Sequence, residues 1–370
     1  MAQEEFTMGV EEEYHIIDPD SRELSPSALP ILERAKHVLG ERIQPELRLS
    51  QIEVETPICS TLAEVRRHLQ RLRRETISAA EQEGKQIASA GTHPFSHWRG
   101  QPVTPKERYE ALASDYQQLT REQTISGCHV HVGLHDRELA LQVMNRARSW
   151  LAPLLALSAS SPYWLGEDTG YVSYRSEIWG RWPISGPPLP FASLQDHNNL
   201  AQDLIRIGAI QDTTKIYWDL RLSERFETIE MRIADACMLV DEAVMIAGFI
   251  RAIIRTSYEQ AIRQESFTPA RHEVLRVAHW RAARYGLSEN LVDVQVPQLV
   301  PAQELIEKLL QFTKDALNAT GEWEEVSALA HQTLQNGNSA TRQREVYQRT
   351  GSLKSVVDFL VTETARNIDA

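Results

Sequence analysis

The segment FTMGVEEEYHI, residues 6–16, alternates apolar and polar residues with a period of two, except at its three consecutive glutamates. This is the period of side chains on a β-strand, so one face of the strand is apolar and the other is polar. Glu11 and Glu13 fall on the polar face, whereas Glu12 interrupts the apolar face. Two carboxylates about 7 Å apart on a strand repel one another by about 2.4 kcal/mol at an effective dielectric constant of about 20. The strand is therefore either half-exposed to solvent, or part of a cleft that holds a cation.

Four further segments place ionisable side chains on one face of a predicted strand: ELRLSQIEVETP, GCHVHVG, YWDLRLS and FETIEMRIAD. Each such alternation is common on a surface strand, but five of them predict one sheet with a polar face of carboxylates, imidazoles and guanidiniums. Its residues are Gln51, Glu53, Glu55, His129, His131, Asp219, Arg221, Glu230 and Arg232. A cross-strand ion-pair ladder is an equal alternative for Glu230 and Arg232, and a packed, hydrogen-bonded role is an equal alternative for His131.

Helical patterns lie between these strands and after them. Thr61 and Glu64 form a capping box before an apolar stripe with helical spacing. Residues 162–191 are rich in Gly, Pro, Trp and Tyr, which predicts a long, irregular loop with a functional role. Because no regular βαβ alternation is present, we expect an α+β fold with a mixed or antiparallel sheet. The main predicted helices span residues 137–160, 241–264, 269–285 and 302–317.

Charge and composition exclude several classes of partner. The 370-residue chain has a formal net charge of −12, which disfavours nucleic acids and anionic membranes. The opening residues, MAQEEFT, lack the basic and then apolar pattern of a secretory leader, and no apolar run is long enough to span a membrane. Three cysteines, an odd and sparse set, indicate a reducing compartment. We therefore expect a cytoplasmic protein that acts on small molecules.

The predicted polar face suits one kind of chemistry. Carboxylates with an imidazole favour Mg²⁺ or Mn²⁺, and such ions beside arginines stabilise the charge of a transferred phosphoryl group. Neither a Walker A motif nor a strand–GxGxxG–helix unit is present, so metal and arginine would have to hold any nucleotide. A metal-dependent hydrolase that activates water is a rival class, and a non-catalytic metabolite-binding protein is a third.

The motifs resemble those of the glutamine synthetase-like carboxylate–amine ligases, which include the glutamate–cysteine ligases. GVEEE is similar to their strand with two metal-binding glutamates, SQIEVETP to their glutamate before Thr-Pro, GCHVHVG to their Gly-x-His motif, and IEMR to their Glu-x-Arg pair. The resemblance is closest to the bacterial glutamate–cysteine ligase 2 group, the YbdK-type ligases. SPYWLGEDTGYVSYRSEIWGRWP and WDLRLSERFETIEMR look like signatures of that group. The resemblance runs from about residue 7 to residue 255, with the helical C-terminal part included.

The resemblance assigns site residues, and it selects His129 over His131 as a metal ligand. Glu46 and Glu53 are separated by an odd number of residues, so a regular strand would place them on opposite faces. A bulge, or a strand that begins after Glu46, is therefore required. The implied metal ligands are Glu11, Glu13, Glu46, Glu53, His129 and Glu230.

Four arginines complete the implied site. Arg232 is assigned to phosphate with Arg221 and Arg175 in support, and the cofactor-binding arginines are Arg232, Arg175 and Arg181. For Arg175 and Arg181, surface solvation or a cation–π contact with Trp179 or Trp182 is the alternative.

The resemblance implies one ligase domain over residues 1–370, helical from about residue 241. Its mainly antiparallel, curved sheet would have a polar concave face, with helices packed on the other face. The implied reaction uses ATP and Mg²⁺, or Mn²⁺, to convert the γ-carboxylate of L-glutamate into an acyl phosphate. The amine of L-cysteine, or another amine, then displaces phosphate. The resemblance leaves open the identity of this amine and whether the protein is a homodimer.

Overall fold

The strands form one large antiparallel sheet and three two-stranded sheets in the computed structural model, which describes residues 5–369. Residues 1–4, part of the segment used to predict that no leader is present, and residue 370 lie outside this range. The strands are β1 (Met8–Ile17), β2 (Ile43–Pro45), β3 (Gln51–Glu55), β4 (Gln86–Ala88), β5 (Gly127–Gly133), β6 (Tyr163–Trp164), β7 (Glu167–Asp168), β8 (Ser185–Gly186), β9 (Tyr217–Trp218), β10 (Leu220–Leu222), β11 (Thr228–Asp235), β12 (Asn290–Asp293) and β13 (Gln298–Pro301).

The large sheet has the strand order β10-β11-β5-β1-β3-β2, and β4 also pairs with the end of β1. Every pairing within it is antiparallel. Strand β1 is central because β3 pairs on one side and β5 on the other. The predicted apolar face of β1 is buried, and its members are Met8, Val10, Tyr14 and Ile16.

Helices cover the apolar face of this sheet and make up most of the C-terminal part. Helices α2, α6 and α9 contact the large sheet, and α9 is buried on nearly all sides. The predicted α+β fold with an antiparallel sheet is thus confirmed. The helices are α1 (Ala28–Leu39), α2 (Leu62–Gln82), α3 (Glu107–Tyr116), α4 (Gln118–Arg121), α5 (Arg137–Ala147), α6 (Leu151–Ser158), α7 (Tyr174–Trp179), α8 (Leu194–Arg206), α9 (Val240–Ile262), α10 (His272–Tyr285), α11 (Ala302–Thr320), α12 (Trp323–Asn336), α13 (Ser339–Thr350) and α14 (Leu353–Thr364).

Glu12, which interrupts the apolar face of β1, forms a buried ion pair with Arg73 of α2. Neither side chain is exposed to solvent. Arg73 Nε lies 3.0 Å from Glu12 Oε2, and the Tyr14 hydroxyl donates to the same oxygen at 2.6 Å. Arg73 also donates to the carbonyl oxygens of Cys237 and Met238, at 2.8 and 2.7 Å. The third glutamate is therefore a structural group that joins β1, α2 and the segment after β11.

Three local features differ from the sequence-based expectation. The helix predicted over residues 137–160 is interrupted by a 3₁₀ turn at Arg148–Trp150, and Pro153 lies in the first turn of the helix that follows, where its missing N–H is tolerated. The segment YWDLRLS is not one strand, because β9 and β10 are separated at Asp219 and belong to different sheets. The loop predicted over residues 162–191 contains the short helix α7.

Among residues 5–369, no helix combines the length and the apolar character needed to cross a membrane.

Candidate functional site

The polar face of the large sheet brings together ionisable side chains from five strands. Because antiparallel pairing places opposed residues on the same face, the register alone decides which side chains meet. The directly opposed pairs are Arg221–Glu230, Glu230–His131, His129–Glu11, Glu11–Glu55 and Glu13–Glu53. Five strands thereby bring charged and imidazole groups together on one face of the sheet.

The first cluster of candidate metal ligands consists of Glu11, His131 and Glu230. One ligand atom from each lies within 4.8 Å of the others. His131 Nε2 is 3.1 Å from Glu11 Oε1 and 4.0 Å from Glu230 Oε2, and its Nδ1 is 3.1 Å from the Thr228 hydroxyl oxygen. Burial acts against the charged form of Glu11, but hydrogen bonds with the two facing histidines hold its pKa well below its usual range.

Two arginines flank Glu230 in this cluster. Arg221 contacts both carboxylate oxygens, at 2.8 and 3.1 Å, and also donates to the carbonyl oxygen of Ile216 at 2.7 Å. Arg232 forms an ion pair with Glu230 through Nη1, and its guanidinium lies over the Trp179 ring, 5.8 Å from the ring centroid. Glu230 thus forms ion pairs with Arg221 across the strands and with Arg232 on its own strand, as the alternative role for Glu230 and Arg232 predicted. Arg221 uses two of its nitrogens to hydrogen-bond Glu230, whereas Arg232 Nε has no hydrogen-bond partner among the described residues.

The second cluster of candidate ligands consists of Glu13, Glu46 and Glu53, again with one oxygen from each within 4.8 Å. Glu46 lies in the turn between β2 and β3, so the strand begins after it and no bulge is needed to bring it to the polar face. The Tyr109 hydroxyl donates to Glu46 at 3.3 Å, and the Gly127 amide donates to Glu13 at 2.7 Å. The Glu53 carboxylate makes no hydrogen bond or ion pair with the described residues, although the backbone of Glu53 lies in the sheet.

The charges of the second cluster are poorly balanced by protein groups. Burial, followed by repulsion from Glu46, raises the pKa of Glu13 to about 8. Burial and then the neighbouring carboxylates also raise the pKa of Glu53 well above its usual range. Three carboxylates with this arrangement need protons or a cation. Because hard oxygen donors are the preferred ligands of Mg²⁺ and Mn²⁺, the residues present fit a divalent metal.

The two histidines of β5 both lie at the site. His129 Nδ1 is 3.0 Å from Glu11 Oε2, and its Nε2 is 3.7 Å from Glu13 Oε1, so His129 lies between the two clusters. Burial, and then the charge of Arg232, lowers the pKa of His129 to about 4, which keeps the ring neutral and able to bind a metal. The resemblance of motifs selected His129 over His131, whereas the structure groups His131 with Glu11 and Glu230.

Arg175 and Arg181 occupy different positions although both come from the predicted loop. Arg175 is 5% exposed, and its guanidinium contacts the carbonyl oxygens of Arg232 and Ile233 at 3.2 and 3.5 Å. Arg181 lies at the rim, with 40% of its side chain exposed, and forms an ion pair with Glu122. The structure thus brings Arg175, but not Arg181, to the carboxylates, and the expected cation–π contact with Trp179 is made by Arg232 instead.

Sequence patterns missed a group of residues that covers the second cluster. Arg108 and Tyr109 lie at the start of α3, and Arg108 hydrogen-bonds to Tyr217. Together with Trp179 and Trp182 they line a cavity over Glu13 and Glu46. Neither a strand alternation nor a motif marks α3 in the sequence. The cavity provides a place for a substrate beside the carboxylates.

The chain shares its fold with solved ligases of the glutamate–cysteine ligase type. The glutamate–cysteine ligase of Francisella tularensis, solved in complex with AMP, superimposes with a TM-score of 0.74 at 13% identity, covering 99% of this chain and 90% of that one. A bifunctional glutathione synthetase from Pasteurella multocida superimposes with a TM-score of 0.71 at 16% identity, covering 98% of this chain and 53% of that one. At these identities the likeness concerns the fold.

The chain belongs to glutamate–cysteine ligase family 2, whose family model matches residues 7–358. Curated relatives provisionally named glutamate–cysteine ligase 2 include one from Rhodopirellula baltica, 45% identical over 363 residues, which cover 97% of this chain and 96% of the relative. Another, from Roseiflexus sp., is 41% identical over 365 residues, covering 99% and 96%. Family membership supports carboxylate–amine ligation as the class of reaction.

Proposed function

We propose that this protein is an ATP-dependent carboxylate–amine ligase that forms an amide through an acyl phosphate. The observation that carries the proposal is the pair of carboxylate clusters, Glu11–His131–Glu230 and Glu13–Glu46–Glu53, with Arg232 beside them. Acidic residues in this number repel an anionic nucleotide unless cations intervene, and two arginines are already engaged by Glu230. The site is suited to phosphate only when it is loaded with metal.

The metal would be held by Glu11, Glu13, Glu46, Glu53, Glu230 and a histidine of β5, either His129 or His131. When bound, Mg²⁺ or Mn²⁺ would neutralise phosphate oxygens of ATP, which is what the carboxylates alone cannot do. The AMP bound to the Francisella tularensis relative supports the use of an adenine nucleotide.

The protein groups would then act on the donor and the transferred phosphoryl group. Arg232 has an unpartnered Nε and would stabilise the charge of that group, while Arg221 would position Glu230. Arg175 would assist at the donor or at phosphate. Trp179 and Trp182 would limit the access of water to the acyl phosphate, because hydrolysis competes with amide formation.

The names of the relatives support L-glutamate as donor and L-cysteine as one acceptor. In the first step, a γ-carboxylate oxygen attacks the terminal phosphorus of ATP, and the bond from that phosphorus to ADP breaks. In the second step, the amine nitrogen attacks the acyl carbon, phosphate leaves, and the nitrogen loses a proton. The products are an amide, ADP and phosphate.

The test uses purified protein, Mg-ATP, L-glutamate and hydroxylamine, a small nucleophile that traps acyl phosphates as hydroxamates. We expect ADP and γ-glutamyl hydroxamate in equal amounts, with neither formed when glutamate is omitted. Hydrolysis that proceeds without ATP would instead support a metal-dependent hydrolase, and the absence of any turnover would support a binding protein.

A matched pair of variants tests the second cluster. Glu53→Gln removes a candidate ligand whose carboxylate makes no hydrogen bond or ion pair with the described residues, so the Mg²⁺ concentration needed for half-maximal activity should rise by about tenfold or more. Glu55→Gln, two residues along the same strand and outside both clusters, should stay close to the parent. Equal Mg²⁺ dependence of the two variants would contradict the assigned role of Glu53.

A further inference from the structure

A second cavity, of about 770 Å³, adjoins the cavity over the carboxylates. Arg175, Trp179 and Trp182 line both cavities and therefore form the boundary between them. The other walls of the 770 Å³ cavity come from the loop after α7, from Asp219 and from α10. Ile233 of β11 also lines this cavity, whereas Glu11 and Glu230 do not.

Two buried donors at this cavity, Arg175 Nε and Trp179 Nε1, have no hydrogen-bond partner among the described residues. The ring nitrogens His272 Nδ1 and His279 Nε2, which donate or accept according to the tautomer, also lack a partner there. Buried polar groups normally have partners, since an unpaired donor costs about 1–3 kcal/mol. Arg276, an exposed residue of α10, adds a further guanidinium to the same wall. Such a set of donors matches a ligand that carries an anionic group, such as a carboxylate.

Two carboxylates face the same cavity and provide a complementary site for an amine. Glu177 of α7 is half-buried and makes no ion pair with the described residues, and burial raises its pKa. Asp219 is buried, and its only ion-pairing partner in the described chain is His279, at 3.3 Å. Cationic and anionic side chains around one cavity suit a ligand that carries both an ammonium group and a carboxylate.

The size of the cavity is informative about the ligand. Cavities of about 300–1,000 Å³ accommodate drug-sized molecules, and cysteine is far smaller. Trp179, Trp182 and Trp280 supply flat apolar surface, which a large side chain can cover. A small amino acid would leave much of this surface in contact with water.

We propose that this cavity binds the acceptor substrate, and that the acceptor is an α-amino acid bulkier than cysteine. The inference rests on the proposed function. The donor carboxylate must meet ATP beside the metal ligands, so the acceptor is expected to approach from the other side, past Arg175 and Trp179. Its amine then attacks the acyl carbon, the bond from that carbon to phosphate oxygen breaks, and the proton leaves the nitrogen.

The experiment compares acceptors in the Mg-ATP and glutamate assay, with product mass as the readout. Phenylalanine and tryptophan should exceed cysteine in kcat/KM by about tenfold or more, from the extra apolar surface that they bury. Phenethylamine has the ring of phenylalanine without its carboxylate, so its kcat/KM should be at least about tenfold below that of phenylalanine. Phenylalanyl-glycine tests whether a dipeptide is preferred to an amino acid, and a higher kcat/KM for it would contradict the assignment of an amino acid as acceptor. A higher kcat/KM for cysteine than for the bulkier amino acids would overturn the inference.

Variants locate the site. Arg276→Ala should raise the KM of the preferred amino acid by about tenfold, and leave hydroxamate formation and the KM of ATP unchanged. Arg271→Ala is the matched control, because Arg271 is an exposed arginine just before α10 that does not line the cavity. Equal effects of the two variants would overturn the assignment. Absence of hydroxamate with the parent protein would instead count against the proposed function, so the two failures are distinguishable.

Discussion

Arg73→Met is expected to destabilise the protein strongly because it removes one partner of a fully buried ion pair. Neither Arg73 nor Glu12 is exposed, so the remaining carboxylate would have to stay charged without a partner or bind a proton. Breaking a buried pair in this way costs about 3–5 kcal/mol. The carbonyl oxygens of Cys237 and Met238 would also lose a charged donor. We therefore expect the free energy of unfolding to fall by about 4 kcal/mol.

The assay is urea unfolding followed by far-ultraviolet circular dichroism. Arg74→Met is the matched control, because Arg74 is the next residue of α2 and 44% of its side chain is exposed. A surface change of this kind is expected to stay within about 0.5 kcal/mol of the parent. Glu12→Met combined with Arg73→Met should recover part of the loss, since no charge remains buried, while the Tyr14 hydroxyl still lacks its acceptor. A loss for Arg73→Met no larger than that for Arg74→Met would refute the argument.

Two further variants test the site and the pH dependence of stability. Gly127→Ala should abolish most ligase activity, because a Cβ at residue 127 would lie 2.4 Å from Arg175 Nη2 and displace that guanidinium. Gly100→Ala is the control and should leave turnover unchanged, because a Cβ at residue 100 would have no atom of the described residues within 4 Å. Equal activity of the two alanine variants would remove the constraint assigned to Gly127. Burial and then a neighbouring histidine lower the pKa of His93 to about 3, so the unfolded chain binds a proton first as the pH falls below about 6.5. Stability should therefore fall by about 1.6 kcal/mol between pH 6.5 and pH 5 through this group alone. The pH dependence of Tm should weaken in His93→Gln and persist in the exposed-residue variant His97→Gln, and an unchanged dependence in His93→Gln would contradict the assignment.

Much of the fold could be predicted because strand alternation depends on local sequence. The alternation in β1 and β5 correctly placed Glu11, Glu13 and His129 on one face, and the antiparallel register then brought them together. Glu46 was harder to place, because it lies in a turn, where side-chain direction follows from φ and ψ rather than from a period of two.

The rest of the site depends on tertiary packing. Arg108 and Tyr109 come from a helix that carries no motif, and they reach the second cluster only because α3 packs over it. Likewise, nothing local distinguishes Arg175 from Arg181. The first is buried against β11, and the second is exposed beside Glu122. Such distinctions depend on contacts between segments far apart in the chain.

The ion pair between Glu12 and Arg73 has a consequence for the alignment of the whole sheet. Three successive glutamates offer a strand two alternative ways to face the cavity, and shifting the pairing by one residue would exchange the faces of all of them. In the observed alignment the middle carboxylate, Glu12, pairs with Arg73 of α2, so this ion pair stabilises that alignment. A shift by one residue would also turn Met8, Val10, Tyr14 and Ile16 towards the polar cavity, so the apolar alternation and the ion pair favour the same alignment.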